Sequence, residues 1–217
     1  MRIGNQKAAG RNRQGRSTLV TWIGLAVIAA VVAVFLALRP YLLTTDDGTS
    51  HAGVGKRLES IELVPLTASA GPISLEEVTG RVVVINFWGT WCPPCVQEFP
   101  HLADIAERYH EREDFAFLSV SCPGDAGDDL ERLKRETLNF LRHRKSTLGV
   151  YADPQRVTQE AAAEAGAFNY GYPTTLILDR QGIIRAAWNG YRSGLERQID
   201  QQLSQLLDKP VAVSTAK

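Results

Sequence analysis

The run Val82-Val83-Val84-Ile85-Asn86-Phe87-Trp88 restricts the fold more than any other part of the chain. It is almost wholly apolar and lacks the alternation of a half-exposed strand, so it reads as a strand buried on both faces. Such a strand needs helices above and below it. Helix-type sequence begins only a few residues later, near Val96, with Phe99, Leu102, Ala106 and Tyr109 on one face and Asp104, Glu107, Arg108 and Glu111 away from it. Pro100 falls inside this helix, removes one backbone hydrogen bond and predicts a kink.

At the handover from strand to helix stands Trp91-Cys92-Pro93-Pro94-Cys95. Two cysteines in the first turn of a helix can close into a disulfide or stand as a dithiol. The exposed amides and positive dipole end of the helix favour a thiolate on the first sulfur, which makes Cys92 the nucleophile and Cys95 the thiol that resolves a mixed disulfide. Pro93 suits the first helical position, but two prolines also withhold two amide donors from the thiolate. The competing readings are a structural disulfide or half of a zinc site. Zinc would need two further ligands, and the chain offers one isolated cysteine, Cys122, and four histidines, His51, His101, His110 and His143, without ligand spacing. No metal and no cofactor are expected. Cys122, at the end of a neighbouring strand, reads either as a buried, inert thiol or as a further redox group on the same rim as Cys92.

The longer motif Asn86-Phe87-Trp88-Gly89-Thr90-Trp91-Cys92-Pro93-Pro94-Cys95, with Glu98-Phe99-Pro100 after it, resembles the membrane-tethered thioredoxin-like oxidoreductases of the TlpA/ResA type. The resemblance covers about residues 58–208. It implies a redox-active disulfide between Cys92 and Cys95, a modulating role for Glu98, and a cis proline, Pro173, facing the cysteine pair. Tyr172 and Thr174 beside that proline, with Trp91, are then the substrate-binding residues, so the expected catalytic set is Cys92, Cys95, Glu98 and Pro173. Glu98 also has a plainer reading as a solvated helix carboxylate. Trp88 reads equally as core filling or as a neighbour of the site. Asn86 stands where cytoplasmic thioredoxins carry a buried acid, so that proton relay is absent. Several proteins of this type serve cytochrome c maturation, which makes exported protein thiols and disulfides, those of apocytochrome c among them, the expected partners, with an unidentified membrane electron donor. A copper carrier, or a thiol peroxidase reacting through Cys92 alone, is the alternative on the same fold.

Charge and hydropathy place the domain. Residues 1–45 hold Arg2, Lys7, Arg11, Arg13, Arg16 and Arg39 and no acid, which leaves 18 basic against 24 acidic residues in 46–217, a balance of −6. That excludes a nucleic-acid partner of the ordinary basic kind. Leu19 to Leu38 carries no charge and as a helix would span roughly 30 Å, a bilayer core. With the basic residues in front of it, it predicts an uncleaved signal anchor with a cytoplasmic N-terminus (1–18) and an extracytoplasmic domain. A cleaved signal peptide ending near Ser50-His51-Ala52 is the rival.

Residues 39–57 read as a flexible linker. Then come a hairpin around Ala68–Gly71, a capping-box turn at Ser74–Glu77, and strands at 115–121 and 148–152 with helices at about 128–145 and 154–167. A hairpin over 174–188, a helix capped by Ser193 and running to about Leu207, and a disordered tail at 209–217 complete the chain. These patterns suggest an α/β domain over 58–208, a central mixed sheet flanked by helices. The resemblance supplies the thioredoxin topology, preceded by the transmembrane helix.

Overall fold

A computed structural model describes residues 14–42, 47–67, 71–124 and 129–209. The basic residues before Gln14, the linker at 43–46, the hairpin tip at 68–70, the loop at 125–128 and the tail from Pro210 lie outside the described residues. The chain divides into two units, residues 1–45 and 46–217.

In the first unit, helix α1 runs from Gln14 to Leu42. Its described side chains, at residues 22–37, are exposed on every side, with Trp22, Ile28, Val31 and Phe35 among them. Among the described residues no helix is long and apolar enough to cross a membrane.

The second unit is built on a seven-stranded mixed sheet. In chain order its strands are β1 (Glu62–Pro65), β2 (Ile73–Ser74), β3 (Val82–Trp88), β4 (Phe115–Ser121), β5 (Val150–Ala152), β6 (Thr174–Leu178) and β7 (Ile184–Asn189). They lie side by side as β2-β1-β5-β4-β3-β6-β7. β3, β4 and β5 are parallel, joined by the helices α3 (Pro93–Tyr109) and α4 (Leu130–Arg144), while β6 and β7 form an antiparallel hairpin against β3. The other helices are α2 (Leu75–Val78), α5 (Val157–Glu164) and α6 (Leu195–Leu207).

Every residue of β3 is buried, and the strand's two-residue period sorts its side chains between two cores. Val83, Ile85 and Phe87 pack with Leu118, Val120, Ala162 and Phe168. Val82 and Val84 pack with Leu102 and Ile105 of α3 and with Ile199 and Leu203 of α6. Asn86 belongs by parity to this second face, so a polar side chain points at α3 from the middle of the sheet.

The early hairpin and the capping box form as expected: Glu62 pairs with Ser74, and the Ser74 backbone amide donates to Glu77 at 2.7 Å. Elsewhere the elements differ at their ends. α3 starts at Pro93 rather than near Val96, because Cys92 itself caps it. Ile105 joins its buried face, and Tyr109 is only half-buried. α5 is shorter than the pattern suggested, bounded by Arg156 at φ 61° and Gly166 at φ 72°. Gly194, at φ 90°, caps α6 in place of Ser193.

The largest departure concerns the linker. Residues 47–57, expected as flexible tether, dock along the β7 edge and belong to the domain. The Gly48 carbonyl accepts from the Ala187 amide at 3.0 Å, and the Lys56 carbonyl accepts from the Ile184 amide at 2.9 Å. Gly48 lies flat on Trp188, where a Cβ would come within 2.3 Å of the indole. Gly53 similarly backs onto Ala167. A segment poor in large side chains can still be ordered when its glycines let the backbone approach a core aromatic.

Candidate active site

β3 delivers the chain to the C-terminal end of the parallel strands, where ligand sites of open α/β sheets form. The turn Gly89-Thr90-Trp91 leads directly into α3. Cys92 takes the N-cap position in an extended conformation (φ −97°, ψ 107°), with Pro93 and Pro94 following as the first helical residues. Cys92 and Cys95 are joined by a disulfide, 5.2 Å apart at Cα. Both are buried, at 3% and 1% exposure, whereas Pro93 is exposed. Because the prolines have no N–H, the first amide of the turn able to reach the outer sulfur is that of Cys95, which donates to Cys92 Sγ at 3.3 Å. The pair therefore retains one backbone donor.

Glu98 lies one turn on from Cys95 and faces inward, at 2% exposure; the solvated alternative does not hold. One carboxylate oxygen accepts from Asn86 Nδ2 at 3.1 Å, and the same amide donates to Thr175 Oγ1 at 3.0 Å. Asn86 and Thr175 are register partners on β3 and β6, so the sheet itself positions this cradle. The other oxygen, Oε1, has no hydrogen-bond partner among the described residues. Burial raises the Glu98 carboxyl to about 7, against the pull of its hydrogen bonds to Asn86 and Thr175.

The Tyr172–Pro173 bond is cis, at the entrance to β6. Tyr172 is half-buried and stands edge-on to Trp91, with ring centroids 5.5 Å apart. Trp91 is 46% exposed, yet it is held firmly. Its Nε1–H donates to the Cys122 carbonyl at 3.0 Å, and Gly89 and Gly124 lie so close to the ring that a Cβ on either would clash with it. The Tyr172 hydroxyl donates to Gln159 Oε1 at 3.1 Å and also meets the Cys122 thiol.

Thr174 does not offer its side chain to a ligand. It is fully buried, and its hydroxyl lies 2.7 Å from the Gly171 carbonyl and 2.8 Å from Asn189 Oδ1, fixing the cis-proline turn to β7. Trp88 fills the core beside the cysteines, packed on Phe99 and Phe140, with its Nε1–H donated to Ser119. Cys122 is 1% exposed, and burial pushes its thiol up to about 12, so it is inert at neutral pH. Among the described residues no three His, Cys, Asp or Glu side chains come together in a way that could hold a metal ion.

A dithiol or disulfide capping a helix, backed by a buried carboxyl and flanked by the aromatic side chains of Trp91 and Tyr172, is equipped for thiol–disulfide exchange. The AhpC/TSA family model matches residues 54–187, most of the folded domain. The chain belongs to the AhpC/TSA family. Among curated members related to it, the thiol:disulfide interchange protein DsbE of Pseudomonas aeruginosa is 29% identical over 202 residues, which is 91% of this chain and 98% of that one. The thiol-disulfide oxidoreductase ResA of Geobacillus kaustophilus is 25% identical over 179 residues, 81% of this chain and 94% of the relative. Among solved structures, a thiol:disulfide interchange protein of the thioredoxin family from Chlorobium tepidum superposes with a TM-score of 0.54 at 20% identity, covering 68% of this chain and 93% of that one, and shows the shared fold. The family member described here is thus a thioredoxin-like thiol–disulfide oxidoreductase of the DsbE and ResA type.

Proposed function

We propose that this protein reduces disulfides of exported proteins, apocytochrome c among them, on the extracytoplasmic side of a membrane in which residues 19–38 anchor it. The observation that carries the reading is the Cys92–Cys95 pair at the N-terminus of α3, with Tyr172, the residue before cis Pro173, packed on the same cluster and edge-on to Trp91. An apolar helix with no polar face, such as α1 over residues 22–37, finds its burial inside protein or lipid, and the uncharged run continues beyond those residues in both directions.

The reaction starts from the dithiol. Cys92, as thiolate, attacks one sulfur of the substrate disulfide; that S–S bond breaks, and the departing sulfur takes up a proton. Cys95 then attacks Cys92 Sγ and releases the second substrate thiol. Two electrons and two protons have passed to the substrate, and the Cys92–Cys95 disulfide remains. A membrane electron donor must return it to the dithiol. Glu98 acts on the buried side. Its carboxyl, raised to about 7, exchanges a proton within the working range: it takes the one that Cys95 gives up and releases it again as the second substrate sulfur is protonated. Tyr172 and Trp91 shape the approach, and the main chain at cis Pro173 completes it.

Trapping tests this reading. The Cys95→Ser variant, expressed in the native cell, should accumulate mixed disulfides between Cys92 and exported proteins, and Cys92→Ser should accumulate none. Equal turnover of a protein disulfide with and without Cys95 would instead favour a one-cysteine peroxidase.

A further inference from the structure

Along α3, starting at the residue after Cys95, lies an open groove of about 480 Å³. Val96 and Gln97 from the first turns of α3, His101 one turn further, Arg144 from the end of α4, and Tyr191 and Arg192 from the turn after β7 line it. Among the described residues no carboxylate lines this wall, although Glu196 and Glu98 act on Tyr191 from nearby and the domain as a whole is acidic. Val96 directly follows Cys95, and its amide bonds the Cys92 carbonyl at 3.0 Å, so the groove opens within one helical turn of the reactive pair.

Local chemistry fixes the charges in place. Pro100 has no N–H for the Val96 carbonyl four residues back, and Arg144 Nη2 approaches that carbonyl instead, at 3.5 Å. The same guanidinium stands 5.4 Å from the Phe140 ring centre. Among the described residues both of these Arg144 partners, the Val96 carbonyl and the Phe140 ring, are neutral, and its charge is held at the groove. Arg192 Nη2 donates to Gln198 Oε1 at 2.9 Å, among other contacts. Tyr191 and His101 stack across the groove with centroids 6.1 Å apart and planes 18° from parallel, giving it an aromatic wall.

We infer that this groove docks a carboxylate-bearing segment of the protein substrate, one with Glu or Asp within a few residues of the cysteine that bonds Cys92. The inference rests on the exchange reading above and specifies which disulfides the site prefers. An extended chain advances roughly 3.3 Å per residue, so side chains two to four positions from the substrate cysteine reach a surface one helical turn away. A planar carboxylate matches the guanidinium fork of Arg144. Because the rest of the domain repels acidic segments, the groove selects where on the surface such a segment lands as well as which segment it is.

The test uses the reduced full-length protein in neutral detergent and three peptides, each with one cysteine in mixed disulfide with 2-mercaptoethanol. They are identical except for two Glu, two Gln or two Lys flanking the cysteine. Exposed ion pairs of this kind predict reduction of the Glu peptide about three- to tenfold faster than the Gln peptide, with the Lys peptide slowest. The Glu:Gln ratio should fall to within twofold in Arg144→Gln/Arg192→Gln, and likewise near 1 M salt, where the Debye length is about 3 Å. A wild-type ratio near one, or a ratio that persists in the double variant, overturns the groove while leaving exchange intact. Failure to reduce even hydroxyethyl disulfide overturns the exchange reading instead. The groove is then judged by equilibrium binding of the three peptides to Cys92→Ser/Cys95→Ser protein, where equal affinities refute it.

Discussion

Glu98 concentrates the chemistry of this site in one residue. Its carboxyl is buried, accepts from Asn86, leaves one oxygen unsatisfied and is raised to about 7 from an ordinary value of 4.5. Between those two pH values the folded protein holds a proton that the unfolded chain has released. The contribution to stability is therefore full below about 4.5 and is lost progressively as pH rises to about 7, a difference on the order of 3 kcal/mol. Denaturant titrations at several pH values should show this fall in the wild type and its absence in Glu98→Gln; parallel slopes in both would sink the assignment. The sequence placed Glu98 on the cysteine side of α3, but not inside the protein. Its burial depends on Asn86 facing Thr175 across two strands that are 89 residues apart in the chain, a register no local pattern reveals. Thr174 misled for the same reason: its place next to the cis proline was legible, while the carbonyl and amide that occupy its hydroxyl were not.

At the scale of elements, β3 and the helix after it could be read directly, because continuous burial and a 3.6-residue period are local signals. Boundaries depended on single backbone conformations, as with Gly194 at the start of α6 and Arg156 at the start of α5. The strap over residues 47–57 escaped reading altogether. It has few large side chains of its own, and its order comes from tertiary contacts with Trp188 and Ala167. Gly48 is the sharpest point of this packing, at φ 80° and with no room for a Cβ. Gly48→Ala should lower stability by about 1–3 kcal/mol, from left-handed strain and overpacking together. Thermal or denaturant unfolding would read this, and an unchanged midpoint would show that the strap contributes little.

The whole molecule joins an apolar helical segment to an acidic redox domain, and the proposed anchor sets where that domain works. Full-length protein should stay in the membrane fraction after salt and carbonate washing, and protease on the outer face should remove the domain and leave a short stub. A mature N-terminus near Gly53 would contradict the anchor, and would also cut away part of the strap that packs on Trp188. The central claim is the direction of electron flow. Strong thiol oxidants stabilise the thiolate of their reduced form. Here Pro93 and Pro94 supply no amide donors, Cys92 Sγ receives the single amide of Cys95, and the buried Glu98 carboxyl disfavours a further negative charge as it ionises. On the proposed reading these features favour the disulfide, so that the dithiol gives up its electrons readily. Equilibration of the full-length protein with reduced and oxidised glutathione at pH 7 measures this directly. A potential near −270 mV, in the thioredoxin range, is the predicted result, and one above about −180 mV would contradict it.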